Sequence, residues 1–490
     1  MKKFSKVLSI LLSVVLVISS FYLLYQVIRL NVLPSKFLFP LTIGVVVLDA
    51  IFILLLVYFS KNVVSKIICI VLTLFICVAS CMGGYYISKT QGALSNITNV
   101  AKHAKNTVSV IVKESSSIKD KSQLNGVSVG SLRLNEQGSK KALKELSNEG
   151  IVLNQTEYDS MTALLEAFYN GEVDSIIINE SSRSQILDME AYSNFDSNTR
   201  VVYQTSYKVK NNDSATSVSD ITSKPFNVLI SGSDSRGGFD ENGRSDVIMV
   251  ATVNPKTHTI LLTSVPRDFY VTTACDAGDG CMQGALDKIT HTGIHGTNTT
   301  KRTVEQLLGI EINYTFKVGF DTVTELVDVL GGVDVYVEPG YATTTSEFSV
   351  HEGVNHLNAQ QALAFARERY SYTEGDRQRT KNQQQVLMGI VKEATKPSVI
   401  TNYAAIMDTM ANTFSTTMSN EEITDLIKYQ LNNNPTWKME QYMVDGTGDT
   451  LMCAELGDAA SVMVPDQSTV KMAKDKINAV LAGKSSEDVK

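Results

Sequence analysis

The first 90 residues alternate long apolar runs with short charged breaks. Residues 7–28 and 67–88 contain no charged residue, and residues 37–60 contain only Asp49. Each run is long enough to cross a hydrocarbon core as a helix, which takes roughly 20 apolar residues. Lys2, Lys3 and Lys6 precede the first run as they would in a signal peptide, but the length of that run and the two that follow predict a retained anchor. Lys61 and Lys66 lie between the second and third runs, against Arg29 and Lys36 in the first break. This positive-inside bias predicts a cytoplasmic N-terminus, three crossings, and everything after residue 88 outside the membrane. Asp49 falls near mid-membrane, where an ionisable group raises a functional hypothesis. A protonated or helix-paired carboxyl is the preferred reading, because the other spans offer no ion-pathway partner.

Beyond the third run the pattern loses its long apolar stretches. Residues 94–116 are polar and mixed, and are expected to form a short helix leading out of the bilayer. GVSVGSL then reads as a strand, GSKKALKEL as a helix, and TALLEAFYNGEVDSIIINES as a helix followed by a strand. This alternation predicts a small α/β accessory domain over residues 91–208. The polar stretch VKNNDSATSVSDITSKP is expected to be a linker, residues 209–225.

A second domain follows, residues 226–396. FNVLISG, DVIMVATV and TILLTSV read as strands, the last two separated by the turn-like NPKTHT. TKRTVEQLLG and FDTVTELVDVLGG carry apolar residues at helical spacing and close on glycines suited to a C-cap. DVYVE is a further strand. Asn358 is a plausible N-cap for AQQALAFARERY, and a longer helix is expected from about Asp376 to Lys396, before Pro397. The expected fold class is α/β (α+β), with a central mixed sheet covered by helices. Residues 397–490 are expected to complete or flank this domain.

Composition narrows the chemistry. A net charge of −7 gives no support for nucleic-acid binding. Cys69, Cys77 and Cys81 belong to the third apolar run and behave there as small apolar residues. Cys275 and Cys281 bracket a short loop in a compartment that permits disulfides, so a local bridge is expected and Cys453 is left unpaired. H-E-x-x-H and P-loop motifs are absent from the sequence. His291 and His295 are the only histidines at helical spacing, and hydrogen bonding is preferred to metal binding for them, because Gly293 and Gly296 make a poor helix.

Polar groups gather where the strands of the second domain end. Asp234 lies in SGSDSRGG, Arg244 and Asp246 in GRSD, and Arg267 and Asp268 in VPRD. In a sheet of neighbouring strands these loops converge on one rim. Two carboxylates with substrate phosphate oxygens suit Mg²⁺, with Mn²⁺ possible, and Asp234 and Asp246 are the candidates. The alternative is a turn aspartate at 234 and an Arg244–Asp246 salt bridge. Arg367 and Arg369 end one helix, while Arg377 and Arg379 begin the next, with Gln383 one turn beyond Arg379. Guanidinium groups packed this closely repel unless an anion sits among them, and their planar forks match phosphate. The alternative is a solvated basic face paired with Glu368, Glu374 and Asp376, a serious rival for Arg377.

Together, SGSDSR, GRSDVIMV, SVPRDFYV, KITHTGIHG, DVLGGVDVYVE, HLNAQQALAFARERY and GDRQRTKNQQQV resemble the LytR–CpsA–Psr (LCP) enzymes of Gram-positive cell envelopes, from residue 226 to about 395. The three spans and the accessory segment look like the capsule-associated, CpsA-type branch. The resemblance implies a phosphotransferase that moves a glycan phosphate from undecaprenyl pyrophosphate to a peptidoglycan hydroxyl, at a multi-pass membrane protein whose two domains are extracellular. It places Mg²⁺ at Asp234 and Asp246, and pyrophosphate at Arg244, Arg267, Arg367, Arg369, Arg379 and Gln383. Asp234, Asp246 and Arg267 are thereby the expected catalytic residues, with Asp234 a candidate proton acceptor. Lys288 lies in the matching K-I-T-H stretch, and the apolar runs VIMV and ILLTSV match the walls of a prenyl cavity or an ordinary core. The Cys275–Cys281 loop is not a hallmark of the family, and it is expected to shape the acceptor entrance. Three alternatives remain: a polyprenyl-pyrophosphate phosphatase, a membrane-anchored envelope regulator without catalysis, and a passive glycan-binding scaffold, which would tolerate loss of Asp234 and Asp246.

Overall fold

A computed structural model of the chain describes residues 2–59, 62–100, 103–133, 136–210, 213–233, 241–276, 280–396, 405–411 and 414–490. Asp234 lies outside the described residues. The chain divides into two compact units.

The first unit comprises residues 1–96, 393–411 and 419–436. Three of its helices are long and apolar enough to cross a membrane, over Lys6–Leu30, Ser35–Tyr58 and Val63–Thr98, with mean hydropathies of 2.6, 2.7 and 2.5. Their apolar side chains face outward, as at Ile18, Phe39 and Phe75. A hydrocarbon solvent accepts such a surface, because every backbone polar group is satisfied within a helix. Asp49 is helix-paired: the Ser20 hydroxyl donates to its Oδ1 at 2.9 Å. The third helix runs on to Val100, and a strand begins at His103. The short helix expected over residues 94–116 is thus the end of a long helix followed by a strand. Its β-branched run TVSVIV pairs along two neighbours and buries its apolar side chains, which overrides the mixed polarity of the segment.

In the second unit, residues 97–392, 412–418 and 437–490, two sheets carry the architecture. The first has five strands: β1 (His103–Lys113), β2 (Ser128–Leu132), β3 (Asn154–Tyr158), β4 (Ser175–Asn179) and β5 (Thr199–Lys210), in the order β3-β2-β4-β1-β5. β2 runs parallel to β3 and β4, whereas β1 lies antiparallel between β4 and β5. Helix Met161–Asn170 starts where the Ser160 hydroxyl accepts from Ala163 N–H, and stops at Gly171 in the left-handed region. Its buried Leu164, Leu165 and Phe168 pack with Ile176 and Ile178 of β4.

The second sheet has six strands: β6 (Phe226–Ser233), β7 (Ser245–Asn254), β8 (Thr259–Ser264), β9 (Tyr314–Gly319), β10 (Phe414–Thr416) and β11 (Lys438–Met443). The order is β10-β9-β6-β7-β8-β11, with β9 parallel to β6, β11 parallel to β8, and the other pairs antiparallel. This is the mixed sheet expected from sequence, and both of its edge strands come from beyond residue 396. Ile248, Val250 and Leu261 pack with Val304 and Leu308 of helix Thr297–Leu308 and with Val470, Ala473 and Ile477 of helix Gln467–Leu481. A separate core joins helices Phe320–Leu330, Ala359–Arg367 and Asp376–Ala394 to the antiparallel pair Val333–Val337 and Gly353–Leu357. The hairpin Gly446–Cys453/Asp458–Pro465 follows β11.

Candidate active site

The rim of the second sheet is built by three turns. The β6–β7 pairing is irregular at its end: Gly232 faces Val247 and Ser233 faces Ser245, leaving Asp246 without a cross-strand partner. A bulge of this kind bends a strand and re-aims the extra side chain. Gly232 is required there, because a Cβ at that position would stand 2.7 Å from Cβ of Val247. Asp246 accepts from Arg267 Nη1 at 2.7 Å.

Arg267 is presented by the turn after β8. Phe269, fully buried, anchors that turn, and Arg267 C=O accepts from Thr290 N–H at 3.0 Å. The segment behind it, Ile289–His295, winds as a 3₁₀ helix. The expectation of a poor helix is met in that form. Gly293 lets it lie against the strand start, since a Cβ there would come within 2.6 Å of Gly243 O, Ser245 Oγ and Ser245 N. His291 Nδ1 is 2.7 Å from buried Asp287 Oδ1, and His295 Nε2 is 2.9 Å from Glu455 Oε2. Both histidines thus have hydrogen-bonding partners.

The third turn joins the two arginine-bearing helices. The polar sequence of the second helix has a structural cause on its buried side. Asn382 donates to Phe365 C=O at 3.0 Å, and Gln384 donates to Tyr442 C=O at 2.8 Å and Leu262 C=O at 3.3 Å. These bonds pin the helix to its partner helix and to β8 and β11. Arg379 is thereby held beside Arg267: its guanidinium is pushed below its ordinary value by burial and by the charges of Arg267 and Arg369, against the pull of Asp376 and Asp246. Burial alone would lower Arg267 too, but Asp246, Asp268 and Asp376 outweigh it and hold it above its ordinary value.

One tertiary cluster therefore contains Arg267, Arg369, Arg379, Asp246, Asp268 and Asp376. Lys288 joins it at 3.4 Å from Asp268 Oδ1. Arg244 stands two residues before Asp246, and Arg367 is exposed at its helix end, two residues before Arg369. Gln383 sits one helical turn beyond Arg379. Carboxylates are interleaved with the guanidinium groups, which relieves the mutual repulsion that an unpaired cluster would suffer. The anticipated alternative of an Arg244–Asp246 salt bridge is not what forms. Asp246 holds Arg267, and Arg244 is paired with Asp188 of the accessory domain. Arg377 leaves the cluster altogether, bonding Asp445 at 2.7 Å and Gly446 C=O at 3.1 Å. Its partner is thus Asp445, not Glu368, Glu374 or Asp376.

The pairing is incomplete in one repeated way. Arg267 binds Asp246 through Nη1, and Arg244 binds Asp188 through Nη1. Arg379 Nη2 stands 2.5 Å from Asp376 Oδ1, off the angle of a hydrogen bond. In all three, the buried Nε finds no acceptor among the described residues. A buried unsatisfied donor is costly in a native structure, and here it recurs at three arginines, of which Arg267 and Arg379 are neighbours. Among the described residues no group of three His, Cys, Asp or Glu is arranged to hold a metal ion. Asp246 supplies one hard carboxylate at the arginine cluster, a donor type that fits Mg²⁺ shared with phosphate oxygens.

Nearby, Cys275 and Cys281 are joined in a disulfide with Cα atoms 6.5 Å apart. Cys281 also lines a cleft with Met282, His291, His295 and Glu455. Cys453 is free and buried, its thiol pushed up to about 12 by burial and the charge of Asp287.

The family model described as the LytR_cpsA_psr family matches residues 191–479. A curated relative, the polyisoprenyl-teichoic acid–peptidoglycan teichoic acid transferase TagU of Bacillus cereus (strain AH820), is 31% identical over 241 residues, covering 49% of this chain and 76% of that protein. TagU of Bacillus subtilis (strain 168) is 34% identical over 203 residues, covering 41% and 63%. Among solved structures, the Streptococcus agalactiae protein gbs0355 aligns with a TM-score of 0.47 at 24% identity, covering 56% of this chain and 93% of that one. The chain belongs to the LytR–CpsA–Psr family.

Proposed function

We propose that this protein attaches a wall polymer to peptidoglycan, transferring it as a glycan phosphate from a polyprenyl pyrophosphate carrier. The observation that carries this reading is the set of three buried guanidinium groups, each held at one end and each left with an unbonded Nε. A pyrophosphate brings several oxygens close together and suits that array, since guanidinium–phosphate bonds are charge-assisted and directional. The names of the curated relatives point to the same substrate class.

In the proposed reaction, the acceptor hydroxyl attacks the sugar-bearing phosphorus in line. An O–P bond forms to the acceptor, the bond to the bridging oxygen breaks, and the polyprenyl phosphate leaves with that electron pair. Arg267 and Arg379 stabilise the charge that builds on the phosphate oxygens, and Arg244, Arg367, Arg369 and Gln383 complete the grip. Asp234 is the proposed acceptor for the hydroxyl proton. Asp246 with Asp234 would hold Mg²⁺ or Mn²⁺, which would supply further neutralisation of the diphosphate. Arginine rather than a strong base carries this scheme, because the lipid phosphate is already an acceptable leaving group.

Three spans and an accessory domain favour a capsular polysaccharide as the polymer, within the CpsA-type branch, and an extracellular site; the relatives' names favour teichoic acid as a second reading. The full chain in detergent, given lipid-linked polymer and peptidoglycan fragments, is expected to yield a covalent polymer–peptidoglycan adduct. Release of free polymer phosphate without adduct would make it a phosphatase, and neither product would leave the regulator. Running the assay with capsular and teichoic carriers separates the two polymers. Chelation with EDTA is expected to suppress the adduct and Mg²⁺ to restore it.

A further inference from the structure

Arg244 differs from the other arginines of the rim in where its carboxylate comes from. Asp246 and Asp376 are supplied by the sheet and helix of the second fold, whereas Asp188 ends the short helix Arg183–Asp188 beside the five-stranded sheet. Arg244 is only 10% exposed and Asp188 is 60% exposed. The buried partner is thus the arginine, held by a carboxylate reaching in from the edge.

That edge is docked at several independent points. Met189, the residue after Asp188, packs with Cys453, Leu456 and Val462 of the C-terminal hairpin. Thr162 donates to Leu456 C=O through both its N–H and its hydroxyl, at 3.3 and 3.2 Å. On the other side of Arg244 in sequence, buried Glu241 accepts from Thr107 of β1 and lies 3.8 Å from Lys105. Apolar packing and backbone bonding hold the two sheets together on both flanks of the Asp188–Arg244 pair.

We propose that Asp188 is a positioning residue of the active site, contributed by the accessory domain, which fixes Arg244 through Nη1 so that its Nε faces the substrate pyrophosphate. The argument is one of repetition. At Arg267 the same division of labour occurs within the second fold alone, with Nη1 on a carboxylate and a buried Nε left open. At Arg244 the division is reproduced with a carboxylate from elsewhere in the chain. The accessory domain on this reading completes the anion site, and its docking sets the affinity for the diphosphate. The inference rests on the pyrophosphate reading of the rim.

The test uses the full chain in detergent micelles with inorganic pyrophosphate as the probe, followed by calorimetry, and transfer kinetics with the lipid-linked polymer. Asp188→Ala is expected to weaken pyrophosphate binding about 3- to 10-fold, the scale of one partly exposed charge-assisted contact, and to raise KM with kcat unchanged. Asp188→Asn keeps a hydrogen-bond acceptor and is expected to recover most of the loss. In an Arg244→Ala background, Asp188→Ala is expected to change nothing further. Unchanged or tighter binding by Asp188→Ala overturns the proposal, because Asp188 is then a bystander or a competitor of the anion. An equal loss in the Arg244→Ala background overturns it as well, because the residue then acts through the fold. Failure of the wild-type protein to bind pyrophosphate, with transfer also absent, overturns the functional reading itself and the proposal with it.

Discussion

Arg183 of the accessory domain and Arg267 of the catalytic rim are both largely buried, yet they are bonded in opposite ways. Arg183 spends all three of its nitrogens: Nε and Nη2 on Glu180 at 2.6 and 2.8 Å, and Nη1 on Asp196 at 2.9 Å. Its guanidinium also lies 5.4 Å from the ring centroid of Phe195. None of its nitrogens is left without an acceptor. Among the described residues Arg267 has one hydrogen bond, to Asp246, and its buried Nε, 3.8 Å from Asp268 Oδ2, has no acceptor within hydrogen-bonding distance, while Arg379 close by is depressed by burial and by the charges of Arg267 and Arg369. A completed network rigidifies a core, whereas an incomplete one retains binding capacity at a cost in stability.

Predictions that test this difference run from the largest effect to the smallest. Arg267→Ala is expected to lower polymer transfer about 1,000-fold or more, a loss of roughly 4 kcal/mol of transition-state stabilisation. Circular dichroism should show the fold retained, and transfer within tenfold of wild type would refute the role. Arg183→Ala is expected to do the reverse. It leaves Glu180 and Asp196 without their cation and should cost about 3 kcal/mol of stability, read as a lowered midpoint in denaturant, with turnover at saturating substrate preserved.

Asp213 sharpens the contrast as a carboxylate whose burial outweighs the groups that stabilise its charge. Burial, only partly offset by the Thr315 hydroxyl and Lys301, pushes it up to about 6 from an ordinary 3.8. Below pH 4 it is protonated in both folded and unfolded chains. Between about pH 4 and 6 the unfolded chain releases its proton first, so this group's contribution falls as pH rises, by roughly 2–3 kcal/mol in total. Asp213→Asn is therefore expected to stabilise the protein by about 2 kcal/mol at pH 7 and by little at pH 4. An equal effect at both pH values would remove the charge explanation. The smallest stability effect is expected at Arg379→Ala, within about 1 kcal/mol of wild type, because removing one of several mutually repelling cations offsets the loss of Asp376 as a partner. Pyrophosphate binding by that variant should nevertheless drop at least tenfold in calorimetry.

Much of this site was legible in the sequence. GRSD, VPRD and GDRQR named Arg244, Asp246, Arg267 and Arg379 together as residues of strand ends and helix starts, and the proposal of a shared ligand came from like charges in one place. Asp376 was visible only as a possible partner on a basic face, since nothing local shows that it neighbours Arg267 as well as Arg379. Arg377 was correctly set apart as a salt-bridge residue, but its partner Asp445 lies in a segment whose pattern was uninformative. The β-bulge at Asp246 also escaped, because strand alternation carries no record of a skipped pairing. Nothing local marks the polar helix face bearing Asn382 and Gln384 as a packing surface; the carbonyls of Phe365, Leu262 and Tyr442 make it one.

What the sequence determined by itself is what depends on neighbours along the chain. Apolar run length specifies three helices able to span a bilayer, and strand and helix periodicity specifies the mixed sheet with its covering helices. Cysteines six residues apart are near enough to meet in one local loop. Tertiary structure alone decided which carboxylate holds which arginine. Asp188 is 56 residues from Arg244, and Asp445 is 68 residues from Arg377, with several elements between. Hydropathy and capping act over a few residues, but an ion pair depends on which distant segments packing brings within 4 Å. Packing therefore decided that one arginine of the rim is held by the accessory domain.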